Sequence, residues 1–116
     1  MTLPRTDAKQ VAEFDRKLGT AAREICPMYG IDPQECIDDA AKSTVFGKFA
    51  LHNNYFNMDG DGDLGHNFLM RSMPTGRVAN GGYAVSMRKV AKFSSPTAAV
   101  TEYCTRRQRG WDYVRG

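Results

Sequence analysis

Near its start the chain carries apolar side chains at three- and four-residue steps, the spacing that one face of an α-helix produces. These residues are Val11, Phe14, Leu18, Ala22, Ile25 and Tyr29. Asp7 stands just before them with Gln10 three residues later, a capping pattern of a helix N-terminus. We therefore predict a first amphipathic helix that Pro27 bends or ends. Its polar side, which includes Glu13 and Lys17, is predicted to face solvent.

A second helix is predicted to begin at Pro33. Asp32 supplies a capping carboxylate, and proline suits the first helical place because it has no amide hydrogen to satisfy. Small and apolar residues then share one face: Cys36, Ile37, Ala40, Ala41 and Thr44. Such a face lets another helix approach closely, so we expect a buried central helix. The Val-Phe-Gly sequence at residues 45–47 lowers helix propensity and marks its end.

The pattern then changes to alternation, clearest in the Tyr-Ala-Val-Ser-Met sequence at residues 83–87. Asn-Gly-Gly at residues 80–82 is a turn signal, so we predict a β-hairpin whose second strand runs from about Gly82 to Phe93. Pro74-Thr75-Gly76 is predicted to form a further turn. Short strands are expected on both sides of these turns.

The last helix is predicted to begin at Pro96, with Ser95 as its cap, and to stop at Gly110. Its inward face carries Ala99, Val100, Tyr103 and Cys104. An aromatic tail at residues 111–116 follows, which either packs on the first helix or forms a sugar-stacking or partner surface. Packing on the core is the commoner fate of a single tryptophan.

Length and composition limit the chain to one core. With 116 residues and 41% apolar content, we predict a single domain over residues 1–116, of the α+β class, mainly helical with a small antiparallel β-lobe. No apolar run approaches the ~20 residues of a membrane span, and the N-terminal segment lacks the apolar block of a signal peptide. A soluble chain without a signal peptide is the prediction.

The formal net charge of +3 is unevenly distributed. Residues 1–70 hold 7 basic and 11 acidic side chains, a net −4, whereas residues 71–116 hold 9 basic and 2 acidic ones, a net +7. This difference indicates that the second part faces an anionic partner: nucleic acid, acidic peptidoglycan or an acidic protein. For Arg106, Arg107 and Arg109 a solvated helix end is the favoured interpretation, because cations stabilise a helix C-terminus.

The sequence indicates neither a metal site nor a cofactor. Cys26, Cys36 and Cys104 lack a C-x-x-C pair, so zinc is not expected. One disulfide with a free thiol is an alternative for a protein that matures outside the cytosol, but we favour three reduced, mostly buried thiols. The Asp/Gly-rich residues 57–63 are similar to half of a calcium loop, yet its twelfth place is Phe68 where a glutamate is required, so a turn is the favoured interpretation.

Four short motifs follow one another from about Met28 to Arg107: YGIDP, the small-residue helix with STVFGK, then NNYFNM, and KFSSPTAAVTEYCTRR. In this order they resemble the lysozyme-like glucosaminidases that cut peptidoglycan, a family that includes the flagellar rod-associated muramidase and bacterial autolysins. Each motif is short, and their shared order is the stronger signal. The resemblance implies a lysozyme-like fold with peptidoglycan as its polymer.

The catalytic position departs from that family. There the central helix ends in a Glu-Ser/Thr-Gly-aromatic-Gly pattern, and laying Thr44, Phe46 and Gly47 on it places Ser43 where the catalytic glutamate belongs. Shifting the pattern by one residue offers Lys42 instead. Neither side chain holds a proton in a partly desolvated cleft and passes it to the glycosidic oxygen, as the family's glutamate does.

Aspartates offer a substitute for the missing acid. Asp39 lies one helical turn before Ser43, and Asp59, Asp61 or Asp63 could supply a second carboxylate across the cleft. The candidate catalytic residues are Asp39, Ser43 and Asp61. The resemblance also implies a cleft lined by the Asn-Asn-aromatic segment, which alternatively turns the chain through side-chain to backbone hydrogen bonds. The candidate glycan-binding residues are Phe46, Asn53, Asn54, Tyr55 and Tyr103.

Two classes of function remain. The first is a peptidoglycan-directed domain that binds cell-wall glycan with weak or absent hydrolysis, which a phage virion, a holin or a secretion machine would deliver to the cell envelope. The second is a catalytically dead pseudoenzyme that acts as a protein-binding or inhibitory module. The missing glutamate favours loss of catalysis, while the Asn-Asn-aromatic segment favours continued contact with glycan. Nucleic acid is a third class of partner, which we do not favour because no recognisable motif is present.

Overall fold

The computed structural model describes residues 7–77 and 83–110, with the side chains of these residues except 70–77 and 83–86. The chain opens with α1 (Ala8–Phe14), a π-helical turn (Asp15–Gly19), α2 (Thr20–Ile25) and a 3₁₀ turn (Cys26–Tyr29). Next come α3 (Pro33–Thr44), a short 3₁₀ turn (Leu51–Asn53), β1 (His66–Arg77), β2 (Tyr83–Ala91) and α4 (Pro96–Arg109). None of the helices in these residues is long and apolar enough to cross a membrane.

Side-chain caps confirm the three predicted helix starts. The amides of Gln10, Gln34 and Ala98 donate to the side chains of Asp7, Asp32 and Ser95, at 2.7, 3.0 and 3.1 Å. Each side-chain oxygen satisfies an amide that lacks a partner within its helix. Pro33 and Pro96 occupy the first turns, and α4 ends before Gly110, as predicted.

The first helix contains an irregularity that apolar spacing did not predict. Across the π-helical turn Arg23 forms an ion pair with Asp15, eight residues earlier, with Nη1 3.0 Å from Oδ1. Gly19 lies beneath this pair, where a β-carbon would come within 2.5 Å of the Asp15 carboxylate and 3.1 Å of the guanidinium. The wide turn and the absence of a side chain at Gly19 therefore let the pair form.

The core lies where α2, α3 and α4 meet. Its largest fully buried side chains include Tyr103, Phe93, Leu18, Met58 and Val100. From α3 the core receives Cys36, Ala40 and Thr44, whereas Gln34 and Lys42 on the opposite side are exposed. The helix expected to be buried is thus central in the packing but buried on one face only.

All three cysteines are free thiols inside this core, so their predicted burial is confirmed. The sulfur atoms of Cys26 and Cys104 lie 3.7 Å apart, which joins the end of the first helical segment to α4. Burial raises the pKa of Cys104 to about 12 and that of Cys36 well above its usual range. The thiols of Cys36 and Cys104 are therefore protonated and unreactive in the folded state.

The two strands form an antiparallel hairpin in which His66 lies opposite Ala91 and Ser72 opposite Val85. β1 has 12 residues, longer than the short strand expected, and β2 has 9 residues that lie within the strand predicted from about Gly82 to Phe93. The predicted turn at Pro74-Thr75-Gly76 is wrong, because these residues lie inside β1. The ladder is irregular there, which accommodates a proline that donates no ladder hydrogen bond. The turn predicted at residues 80–82 and the aromatic tail lie outside the described residues.

Candidate functional site

The turn after α3 follows directly on Ser43, which is exposed in the last turn of that helix. Thr44 stabilises the turn, because its Oγ1 donates to a carbonyl one helical turn earlier at 2.8 Å and accepts from the Gly47 amide at 3.0 Å. Val45, Phe46 and Gly47 all adopt left-handed backbone conformations, with φ of 51°, 54° and 81°. A β-branched residue is disfavoured in that region, so Val45 stores local strain beside Ser43.

Asp39 and Tyr103 meet on the face between α3 and α4. The Tyr103 hydroxyl, which belongs to a fully buried side chain, donates a hydrogen bond to the Asp39 carboxylate. Arg107 donates to the same hydroxyl at 3.3 Å and to Glu35 at 3.4 Å. Burial, followed by the contact with Asp39, raises the pKa of Tyr103 above its usual range, so the phenol keeps its proton. This polar network fastens α3 to α4.

The Asp/Gly-rich loop directs its carboxylates to separate partners. Asp59, Asp61 and Asp63 contact, in this order, Arg88, His66 and Ser94. His66 Nδ1 lies 2.5 Å from Asp61 Oδ1, and this hydrogen bond holds the pKa of Asp61 below its usual range. No group of three or more residues suited to hold a metal ion occurs in the part of the chain that the structure describes.

Asp39 and Asp61 are related through α4. Tyr103 contacts Asp39, and Arg106, three residues later, contacts the backbone carbonyl of Asp61 at 3.4 Å. Neighbouring turns of α4 therefore contact both candidate residues, Asp39 through its carboxylate and Asp61 through its backbone carbonyl. The two side chains are nevertheless engaged by different residues, Asp39 by tyrosine and Asp61 by histidine.

The two asparagines turn the chain. Asn54 is buried, and its side chain donates to the Met58 carbonyl at 2.9 Å and accepts from the Met58 amide at 2.8 Å. Asn53 donates to the carbonyl of Phe93 at 3.1 Å, which ties the loop to the segment before α4. Both side chains thus serve the backbone, as one of the two interpretations had it, and their contact with glycan stays a prediction.

Phe46 and Tyr55 line a pocket of about 230 Å³ between α1 and the turn after α3, which we call the α1 pocket. Phe14 joins the two rings, edge-on to Phe46 at 5.7 Å and tilted against Tyr55 at 6.0 Å between centroids. Gln10 holds α1 to the turn by donating to the Val45 carbonyl at 3.2 Å. Asp39, Tyr103 and Asp61 do not line this pocket, so the structure does not bring the predicted site residues together in one place.

Polar groups surround the aromatic part of the α1 pocket. Glu13 and Lys17 form an ion pair of 3.0 Å, which lowers the pKa of Glu13, and Lys48 completes the rim. Tyr55 is 7% exposed, and burial raises its pKa. Its hydroxyl makes no hydrogen bond to any residue in the described parts of the chain, and it is open to solvent, since no buried side-chain polar atom there lacks a partner.

Sequence reasoning missed the pocket residues from the first helical segment, namely Gln10, Glu13 and Lys17. Gln10 was predicted to take part in the helix cap and the other two to face solvent, and no local spacing distinguishes a solvated face from the rim of a pocket. Gly47 was the one residue whose type gave a weak indication of the pocket. A β-carbon there would lie 3.1 Å from the ring of Tyr55 and 3.3 Å from that of Phe14, a close approach that only glycine permits.

No protein-family model and no curated protein matches the chain. Solved structures do match. The catalytic domain of the autolysin Auto from Listeria monocytogenes superimposes with a TM-score of 0.70 at 18% identity, over 94% of this chain and 62% of that one. A C-terminally truncated glycoside hydrolase domain of FlgJ from Salmonella typhimurium superimposes with a TM-score of 0.65 at 18% identity, over 85% of this chain and 69% of that one.

These comparisons define the class of fold. The chain has the α+β fold of lysozyme-like glycoside hydrolase domains, mainly helical with a two-stranded antiparallel sheet, which confirms the predicted fold class. It spans less than two thirds of the length of the Auto domain, so part of that domain has no counterpart here.

Proposed function

We propose that this domain binds the glycan of bacterial cell walls and cleaves it weakly or not at all. The fold supports glycan binding, since it is shared with an autolysin catalytic domain and a glycoside hydrolase domain. Weak or absent cleavage is inferred from Ser43, which is exposed at the end of α3 and aligns with the catalytic glutamate of the resembling family.

The conformation of Val45 supports this assignment over the alternative at Lys42. The family pattern has glycine two residues after its glutamate, and glycine tolerates positive φ at little cost. Val45 adopts a φ of 51°, and it stands two residues after Ser43 and three after Lys42. If Ser43 is aligned with the family's glutamate, the family's glycine falls on Val45, whose positive φ is a conformation that favours glycine.

The carboxyl groups of Asp61, Glu13 and Asp39 are poorly suited to replace the missing catalytic glutamate. A general acid for glycoside cleavage needs a raised pKa, so that it holds a proton at neutral pH. The pKa of Asp61 is lowered by His66, and that of Glu13 is lowered by Lys17. Asp39 is already engaged between α3 and α4, where its carboxyl group accepts a hydrogen bond from Tyr103.

The test measures binding and cleavage separately on purified insoluble peptidoglycan. We expect the protein to sediment with the polymer without loss of turbidity or release of reducing ends. Ser43→Glu should then introduce or raise cleavage, whereas Lys42→Glu, a carboxylate one residue earlier, should not. Matched circular dichroism spectra and melting temperatures would show that both variants fold alike.

Two results would contradict the proposal. Cleavage by the unaltered protein that Asp39→Asn abolishes would mean that the acid has moved to Asp39. Absence of sedimentation would remove glycan binding and favour a second function, a protein-binding or inhibitory module. Exposed apolar side chains favour that second function: Phe49, Phe68 and Met87 are 62%, 53% and 59% exposed.

A further inference from the structure

We propose that Cys26 and Cys104 are a site of oxidative modification, which forms an intramolecular disulfide bond when the protein leaves a reducing environment, while Cys36 keeps its thiol. The setting rests on the proposed function, because the glycan of cell walls lies outside the cytosol, where disulfide bonds form and persist. The choice of the pair rests on the structure, since the sequence left the pairing of the three cysteines open.

The two sulfur atoms of the pair already lie in contact. Cys104 Sγ is 3.7 Å from Cys26 Sγ, and both side chains are fully buried. A disulfide bond brings its sulfur atoms to about 2.0 Å, so each atom would move by less than about 1 Å. Rotation of the two side chains about their first torsion angles supplies a movement of that size.

The backbone around the pair is held in place from both sides. The carbonyl of Cys26 accepts from the amide of Ile31 at 3.0 Å, which fixes the 3₁₀ turn. Gln108, one helical turn after Cys104, donates from its side chain to the carbonyl of Tyr29 at 3.4 Å, which ties the same turn to α4. The bond would therefore join two segments that are already fastened to one another.

Cys36 is the competing partner, because burial, followed by the neighbouring Cys26 thiol, raises its pKa above the usual range. The pKa of Cys104 is raised less, to about 12. The thiolate is the form that attacks a disulfide, so Cys36 is the poorer nucleophile of the two. This order and the sulfur–sulfur contact favour the same pair.

The oxidant belongs to the class of low-molecular-weight disulfides, such as oxidised glutathione. The thiolate of one cysteine attacks a sulfur atom of the oxidant, forms a mixed disulfide and releases one glutathione thiolate. The thiolate of the second cysteine then attacks the protein sulfur of that mixed disulfide and releases the other glutathione thiolate. The protein loses two thiol protons and two electrons, and the oxidant becomes two molecules of reduced glutathione. Because both cysteines are covered in the native state, we expect the reaction to take place while the chain folds.

The experiment folds the fully reduced full chain from denaturant, in a buffer of oxidised and reduced glutathione or in reduced glutathione alone. In the first buffer only, we expect the intact mass to fall by two hydrogen atoms and proteolysis without reductant to yield a peptide pair that joins Cys26 to Cys104. Cys36 should still react with an alkylating label after denaturation. Since the pair is 78 residues apart in the chain, the oxidised protein should melt about 8 °C or more above the reduced protein.

Two variants test the choice of the pair. Cys36→Ala should keep both the disulfide bond and the rise in melting temperature, whereas Cys104→Ala should lose both. Each variant is compared with itself in the two buffers, so a change in stability that the substitution itself causes cancels. Mapping of the disulfide bond in the unaltered protein requires neither variant to fold.

The outcomes separate this inference from the proposed function, because none of these measurements contains glycan. A Cys26–Cys36 bond, a lasting glutathione adduct or three free thiols after folding would overturn the assignment. Disulfide formation in a protein that does not sediment with peptidoglycan would retain the pair and overturn the cell-wall function. Sedimentation of a protein with three free thiols would retain that function and overturn the pair.

Discussion

Two buried tyrosines, Tyr103 between α3 and α4 and Tyr55 in the α1 pocket, differ in what their hydroxyl groups contact. Tyr103 donates to Asp39 and accepts from Arg107, so its hydroxyl serves the fold. Tyr55 has no such bond within the described residues. The Tyr55 hydroxyl is open to solvent, since no buried side-chain polar atom in the described residues lacks a partner, and its ring forms part of the pocket wall against Phe14. Residues grouped as one site by resemblance therefore have two different roles.

The largest expected effect on stability comes from a substitution that fills part of the α1 pocket. Gly47→Ala should destabilise the fold by about 2–3 kcal/mol, because φ is +81° and the new β-carbon would press on the rings of Tyr55 and Phe14. Gly30→Ala is the matched control: φ is +69° but nothing lies within 4 Å, so about 1 kcal/mol is expected. Denaturant unfolding measures both. Equal losses would mean that the pocket walls yield without cost.

The comparison of the tyrosines is tested directly by removing each hydroxyl. Tyr103→Phe should lower the free energy of unfolding by about 1–2 kcal/mol, because it leaves the partly buried Asp39 without its donor. Tyr55→Phe should change stability by less than about 0.5 kcal/mol, since no protein hydrogen bond is lost. A larger loss for Tyr55→Phe than for Tyr103→Phe in denaturant unfolding would reverse the comparison.

A smaller effect of opposite sign is expected at the end of α3. Val45→Gly should stabilise the protein by about 0.5–1 kcal/mol, because it relieves a positive φ of 51° that a β-branched residue tolerates poorly. Val11→Gly in α1 should instead destabilise by about 1 kcal/mol, the ordinary cost of glycine within a helix. Thermal unfolding of the two variants distinguishes local strain at Val45 from a general response to glycine.

The smallest effect concerns the pH dependence of stability and the Asp61 carboxylate, which His66 contacts. Its pKa in the folded protein is lowered by His66, so its contribution to stability is present above the unfolded pKa of about 3.9 and is lost as pH falls through the lower folded value. Asp61→Asn should flatten the acid limb of the stability profile. Glu24→Gln on α2 is the control, and an acid limb unaltered by Asp61→Asn would contradict the prediction.

Sequence reasoning succeeded where the cause was local. The caps at Asp7, Asp32 and Ser95 each satisfy an amide two or three residues away, so residue type and spacing sufficed. It failed at residues 74–76, because a proline and a glycine that usually turn a chain lie within an irregular stretch of β1. The ladder between two strands, rather than the local residues, decided the conformation there.

The candidate site was only partly predictable for the same reason. Tyr55 and Phe46 came from the order of motifs, but their neighbours Glu13 and Gln10 lie more than thirty residues earlier and carry no local signal. Asp39 was proposed from helical spacing to Ser43, yet its partner, Tyr103, is 64 residues away. Contacts between distant segments determine which carboxylates are engaged, and one sequence contains no measure of them.

The reactivity of the buried thiols measures how often the core opens. Cys26, Cys36 and Cys104 come from three separate helical segments and are fully covered where these segments meet. A thiol reagent reaches them only when the segments part, so its rate of reaction reports how often the core opens.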